Sequence, residues 1–264
     1  MNSHRRKAIF LDIDGTLITR DSGPFKEDKE AMEEAAGKGH FLFLSTGRSF
    51  ANIPLSLLEF SFFKGIAAGA GAHVLLNEGL HPRYQTIYHQ WVTAEMLAKI
   101  FEWYGKNSCY CCLEGERDSY IINHSSLIDT AKTAISVNSL EDFKRKSNGD
   151  LITKLTLDRY ASEEEFLILE PFFKLNCFAD YSEGIISGEN KGKAMALILN
   201  TLGIEREDSI AIGDSTNDLD MIRFAGVGIA VGNASDELKA AAGAITTDCG
   251  KGGVAEALGK FVLS

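Results

Sequence analysis

The sequence predicts an α/β fold: a doubly wound, Rossmann-like core of parallel strands with an inserted α+β segment. Three observations carry this. Short, continuously apolar runs alternate with helical patterns near both ends of the chain, as strands covered on both faces require. Each run gives way to a compact polar cluster. From about Arg83 to Glu183 the texture changes to aromatic-rich, alternating segments. The expected division is residues 1–82 and 184–264 for the core and 83–183 for the insert.

The elements follow in order. Ala8–Leu11 is the first expected buried strand, ending at Asp12-Ile13-Asp14-Gly15-Thr16. A helix is predicted over Glu27–Ala36, and a strand over Phe41–Leu44 that ends at Ser45-Thr46-Gly47-Arg48. In the insert, Thr93–Tyr104 reads as a helix with Leu97, Ile100, Phe101 and Tyr104 on one side, stopped by Gly105. Cys109–Leu113 and Ser119–Asn123 read as a hairpin around Glu114-Gly115-Glu116-Arg117. Leu151–Leu157 and Leu175–Asp180 read as strands, and Ser162 with Glu165 as a capping box. A helix is predicted over Gly192–Leu202, with Ala194, Leu197, Ile198 and Leu202 on its apolar face and Gly203 as its stop. Ser209–Ile212 then leads into Gly213-Asp214-Ser215 and a helix over Ser215–Phe224. Val227–Val231 leads into Gly232-Asn233-Ala234.

Charge and cysteine content narrow the function. The 264 residues carry 37 acidic against 27 basic side chains, a net charge of −10. Nucleic-acid backbones and anionic membranes are held mainly by Lys and Arg, so both are excluded as expected partners. A small phosphate ester is not excluded, because one Lys and a metal ion reverse the local field. The five cysteines are odd in number and suit reduced thiols. Cys109, Cys111 and Cys112 cluster, but no second pair completes a zinc site, so they read as plain strand residues. No apolar run approaches a membrane span. The stretch after the basic Met1–Lys7 segment is too short for a signal peptide, so a cytoplasmic location is expected.

Four polar clusters each follow a strand or open a helix, and an open parallel sheet gathers such clusters at the carboxyl edge of its strands. A carboxylate such as Asp12 can attack phosphorus, and a second such as Asp14 can serve as acid and base. Asp-Gly is also a common turn pair. A hydroxyl of Ser45 or Thr46 can bond a phosphoryl oxygen or cap a helix, and Gly47 admits close backbone approach. Lys191 can neutralise a transferring phosphoryl group; its alternative is a solvated surface site, with Lys193 as the competing cation. Asp214 and Asp218, with Asn217 beside them, suit octahedral Mg²⁺, while Ser215-x-x-Asp218 also reads as a capping box.

With these residues in hand, the chain resembles the haloacid dehalogenase superfamily of phosphatases, in its Cof-type branch with a large α/β cap. The four clusters occur in the family's order, and the likeness covers essentially the whole chain. Gly232-Asn233-Ala234 is similar as well. Gly69-Ala70-Gly71-Ala72 departs from the family's usual Asn-Gly-Ala turn, because Ala70 stands where relatives carry Asn. The resemblance implies Asp12 as nucleophile, Asp14 as general acid and base, Thr46 as phosphoryl contact with Ser45 as its rival, and Lys191 as stabiliser of the phosphoaspartate. It implies Mg²⁺ held by Asp12, the Asp14 carbonyl and Asp214, with Asp218 acting directly or through water. Ser45, Gly47, Arg48, Asn217 and Asn233 complete the expected phosphate- and substrate-binding set. The insert is expected to close over the site, with the Glu114–Arg117 turn among its substrate-facing parts. The expected activity is hydrolysis of a small phosphate monoester, a sugar phosphate by default. A phosphosugar mutase and a phospho-receiver without turnover are the alternatives.

Overall fold

A computed structural model describes residues 5–19, 22–79, 83–107, 109–123, 134–157, 159–178 and 181–264. The chain divides into two compact units. The first is Met1–Gly47, Pro54–Tyr88 and Asn190–Ser264; the second is Arg48–Ile53 and His89–Glu189. The edges of the second unit fall six residues further along than the change of texture suggested, at 89 against 83 and 189 against 183. The short Arg48–Ile53 excursion has no signature in composition.

The strands are β1 (Ala8–Leu11), β2 (Phe41–Ser45), β3 (Phe63–Ala68), β4 (His73–Asn77), β5 (Tyr84–His89), β6 (Cys111–Gly115) and β7 (Ser119–Ile122). They continue with β8 (Ile135–Val137), β9 (Ile152–Leu157), β10 (Phe173–Cys177), β11 (Ser182–Ile186), β12 (Ser209–Gly213), β13 (Val227–Ala230) and β14 (Ala244–Ile245). Among the described residues the larger sheet runs β14-β13-β12-β1-β2-β3-β4-β5. Its pairs from β14 to β3 are parallel, and β3 with β4 is antiparallel.

Alternation along β1 explains its uninterrupted apolar sequence. Ala8 and Phe10 join a core with Phe43, Ala67, Ala211, Met195 and Ile198, while Ile9 and Leu11, equally buried, point to the opposite face. Helix Lys191–Leu202 buries Ala194, Met195, Ile198 and Leu199. The expected face therefore shifts: Leu197 and Leu202 only flank the core. Gly203 ends the helix at φ 63° in the left-handed region. On the other side, helices Lys26–Gly37 and Gly253–Leu258 pack together. There the buried Asp28 accepts a hydrogen bond from Ala255 N at 2.8 Å, supplying the cap that the second helix lacks.

In the second unit the sheet runs β10-β11-β9-β6-β7-β8. The helix predicted to stop at Gly105 extends over Ala94–Lys106. Gly105 has no positive φ, and Asn107 closes the helix by donating from Nδ2 to Trp103 O at 2.9 Å. Cys111 and Cys112 lie in β6, Cys109 precedes it, and all five thiols are free. The strand expected over Leu175–Asp180 is β10, two residues earlier; Asp180 lies outside the described residues. The Glu116–Asp118 turn wraps the buried Asp150 carboxylate, which accepts from the backbone N–H of Glu116, Arg117 and Asp118 at 3.1 Å. Glu165 completes its capping box and also receives both Arg159 nitrogens, at 2.6 and 2.8 Å, and the Tyr104 hydroxyl at 2.7 Å. Among the described residues no helix is long and apolar enough to cross a membrane.

Two predictions follow from the backbone and from Glu165. Ala70 sits at φ 54°, where a Cβ is unfavourable. Ala70→Gly is expected to raise unfolding stability by about 1 kcal/mol in urea titrations. Burial pushes the Glu165 carboxyl up, but bonds from Arg159, Ser162 N–H and Tyr104 outweigh it and hold its pKa below the usual value. Its contribution is therefore complete above the ordinary glutamate pKa of about 4.3 and is lost as pH falls through the lower folded value. Glu165→Ala is expected to cost about 2–4 kcal/mol at pH 7, a difference that shrinks in acid melts.

Candidate active site

β1 ends at Leu11, and Asp12 lies at the strand's carboxyl end with its N–H on Ile212 O at 3.0 Å. The chain then turns: Gly15 N donates to Ile18 O at 2.8 Å, and Gly15 takes φ +80°. This turn separates the two aspartates. Asp12 is buried, whereas Asp14 is exposed. A Cβ on Gly15 would strike the Asp214 carboxylate, so glycine gives that side chain its room.

Asp214 follows β12, and Asp218 lies in a 3₁₀ turn, Thr216–Asp218, that precedes helix Leu219–Phe224. The single helix expected from Ser215 is thus split. Asp218 is fully buried, with Oδ2 accepting from Asp214 N at 3.0 Å and Ser215 N at 3.1 Å. The capping-box reading of Asp218 holds, with Oδ2 tying the turn, while Oδ1 accepts from Lys191 Nζ at 2.5 Å. A Cβ at Gly213 would meet the same carboxylate, which explains a glycine at the strand's last position.

Lys191 opens its helix behind the cap Asn190, whose Oδ1 accepts from Lys193 N at 2.8 Å. Lys193 is exposed; Lys191 is completely buried, its Nζ 2.6 Å from Asp12 Oδ1. Burial alone would lower its pKa, but Asp12 and Asp218 raise it above the ordinary value, so it stays charged. One carboxylate oxygen each from Asp12, Asp214 and Asp218 lie within 4.8 Å of one another. One ammonium is set against three carboxylates, and Asp12 and Asp214 respond to the imbalance. Burial, then Asp218, pushes Asp12 well up against the pull of Lys191. Burial and Asp218 push Asp214 up to about 7. Asp214 Oδ1 is buried with no hydrogen-bond partner. An all-oxygen set with an orphaned buried acceptor fits a hard divalent cation. Asp14 lies outside this trio of side chains, though its charge reaches Asp214.

The second cluster sits at the end of β2. Thr46 is buried, with its N–H on Ala67 O at 2.8 Å and its carbonyl accepting from Ala70 N at 2.9 Å. The next elements are a short 3₁₀ turn, Phe50–Asn52, and a one-turn helix, Leu55–Leu58, with Ser49 and Pro54 at their cap positions, so Ser45 and Thr46 are not helix caps. Ser45 Oγ is buried without a partner. The turn that holds Thr46, Gly69–Gly71, needs left-handed backbone at Ala70; a Cβ on Gly71 would meet Asn190 O at 2.5 Å. The other expected residues make hydrogen bonds within the protein. Asn233 donates to Gly15 O at 2.8 Å and accepts from Cys249 N at 2.6 Å, strapping two loops together. Asn217 Oδ1 accepts from Ser215 Oγ at 2.9 Å, and Arg48 Nη1 donates to Asn52 O at 2.8 Å. The Ala67 and Ala70 backbone contacts carry no sequence signal, since any residue supplies them.

Comparison with known proteins agrees with this geometry. The model of the haloacid dehalogenase-like hydrolases matches residues 9–258. The 5-amino-6-(5-phospho-D-ribitylamino)uracil phosphatase YitU of Bacillus subtilis is 27% identical over 271 residues, covering 96% of both chains. YcsE, a phosphatase of the same name and organism, is 28% identical over 264 residues, covering 97% of this chain and 96% of its own. The solved sugar phosphatase BT4131, of subclass IIB in that superfamily, superposes with a TM-score of 0.79 at 25% identity, covering 97% of this chain and 98% of its own. A parallel-sheet core with its acidic residues at the strand ends, matched over nearly its whole length, places this chain in the haloacid dehalogenase-like hydrolase family.

Proposed function

We propose that the protein is a Mg²⁺-dependent phosphatase that hydrolyses a small phosphate monoester of the sugar or polyol type through an aspartyl-phosphate on Asp12. The observation that carries the reading is the buried Lys191 ammonium between Asp12 and Asp218, with Asp214 beside them. The substrate class is supported by YitU and YcsE, phosphatases of 5-amino-6-(5-phospho-D-ribitylamino)uracil, and by the sugar phosphatase BT4131.

In this reading Asp12 and Asp214, together with the Asp14 carbonyl, would hold Mg²⁺. When bound, the ion supplies the positive charge that draws a phosphate dianion into an acidic site. Lys191 holds one Asp12 oxygen at 2.6 Å, which leaves the other to form the new bond to phosphorus. Thr46, with Ser45 as the alternative, hydrogen-bonds a phosphoryl oxygen. As the ester P–O bond breaks, Asp14 gives its proton to the leaving alkoxide. Its exposure suits this role, because the leaving group must reach solvent. Asp14 then takes a proton from water, which attacks the acyl phosphate and returns Asp12 as carboxylate. Asp218 acts through Lys191 and the 214–215 backbone and does not touch substrate. The first unit, Met1–Gly47, Pro54–Tyr88 and Asn190–Ser264, serves as catalytic core, and the second as the substrate-selecting cap.

Asp12→Asn is expected to lower phosphate release from a panel of monoesters by at least about a thousandfold while near-ultraviolet circular dichroism stays unchanged. Retained turnover would refute the assignment. Mg²⁺ at one hundred times its Kd is expected to stabilise the wild-type protein by about 2.7 kcal/mol in thermal melts. Chelation should reverse this shift and Asp214→Asn should abolish it.

A further inference from the structure

The turn around Asp14 is pinned on one side from within. Ile13, just before Asp14, is buried, and its carbonyl accepts from Leu17 N at 2.9 Å and Ile18 N at 3.0 Å. Gly15, just after it, donates to Ile18 O at 2.8 Å. The Gly15 carbonyl is held from outside the turn, by Asn233 Nδ2 at 2.8 Å. Gly15 sits at φ +80° and has no side chain to restrain it, so its peptide has the widest choice of conformations in the run. The bond from Asn233 selects one of them.

Asn233 is itself firmly placed. Its Oδ1 accepts from Cys249 N at 2.6 Å, so partners of opposite polarity fix which way the carboxamide faces. Gly232 N, on one side, donates to Thr247 O at 3.0 Å. A Cβ at Gly232 would strike the Asp248 carboxylate, so glycine lets this turn pack close to the loop that follows β14. On the other side Ala234 is buried in the core beside Leu238, and Ser235 N donates to Asp214 O at 2.9 Å. The 232–235 turn therefore ties together the segments that leave β1, β12 and β14. All of these residues belong to the first unit. The Asn233 side chain is exposed, yet both of its polar atoms are committed to backbone partners.

We infer that Asn233 is a positioning residue for Asp14: by holding the Gly15 carbonyl it sets where the neighbouring Asp14 carboxyl stands, and it does not touch substrate. This rests on the assignment of Asp14 as general acid. The effect belongs to the transition state, because the proton passes from Asp14 to the departing oxygen only as the ester P–O bond breaks. It also depends on the leaving group. A departing phenoxide needs that proton, whereas a 4-nitrophenoxide spreads its charge into the nitro group and needs it less.

The experiment compares kcat/KM on phenyl phosphate and on 4-nitrophenyl phosphate, with Mg²⁺ present, in wild type, Asn233→Ala and Asn233→Asp. This ratio reports the steps up to phosphoryl transfer and is blind to hydrolysis of the acyl phosphate, which both esters share. For Asn233→Ala it is expected to fall about thirtyfold on phenyl phosphate and about threefold on 4-nitrophenyl phosphate, a gap of about tenfold that matches one lost hydrogen bond. Asn233→Asp keeps an acceptor for the Cys249 N–H and loses only the donor. It should show the same selective loss, and it serves if Asn233→Ala does not fold. In an Asp14→Asn background, Asn233→Ala should widen the gap between the esters no further. Losses of equal size on the two esters, zero included, overturn the inference, as does a gap that widens again without the Asp14 carboxyl; a merely structural role predicts equal losses. Wild-type protein that hydrolyses neither ester overturns the phosphatase reading and this inference with it, so the two failures are distinct.

Discussion

A single ammonium group, Lys191 Nζ, stands between Asp12 and Asp218 with no exposure to water. Removing that many charges from solvent is costly, and one cation offsets only part of the repulsion among three carboxylates. The residue of that repulsion is what makes the site chemically useful. Burial, with the charge of Asp218 added, makes Asp12 and Asp214 weaker acids than usual, and Asp214 Oδ1 has no hydrogen-bond donor. The site's all-oxygen donor set fits a hard divalent cation such as Mg²⁺.

The scaffold meets this demand with backbone geometry. Parallel pairing of β12, β1 and β2 brings Asp214, Asp12 and Thr46 to one edge, although 202 residues separate Asp12 from Asp214. Gly15 and Gly213 stand where any Cβ would collide with a carboxylate of the cluster. Asn233 uses its whole carboxamide to hold the Gly15 loop against Cys249. The acids are thus kept close by elements that cannot relax away from one another, which preorganises the site before any ligand arrives.

The second unit relies on buried acids in a different way. Asp150, Glu165 and Glu114 are each satisfied by N–H groups, a guanidinium or an ammonium, and each ties together segments distant in sequence. The polar Glu114–Arg117 run therefore holds internal supports: Glu114 anchors Asn52, and the turn after it encloses Asp150. These roles left little trace in the sequence, because a buried acid and a solvated one are the same letter. The helix stop expected at Gly105 misled for a related reason: a glycine ends a helix only when its φ turns positive, and this one did not.

By itself the sequence determined the strand–helix alternation of the core, the order of its polar clusters and the presence of a differently textured insert. Those are local properties, set by hydrophobic period and by turn residues next to each strand. Through the family's motif order it also pointed to Asp12, Asp14, Asp214 and Lys191 as candidates. Tertiary structure alone decided which oxygens meet the ammonium, that Asp218 both ties its turn and holds Lys191, and that Asn52 leans on Glu114. Each of these depends on distances between segments that only parallel pairing and cross-strand register bring together, and no local pattern encodes a distance.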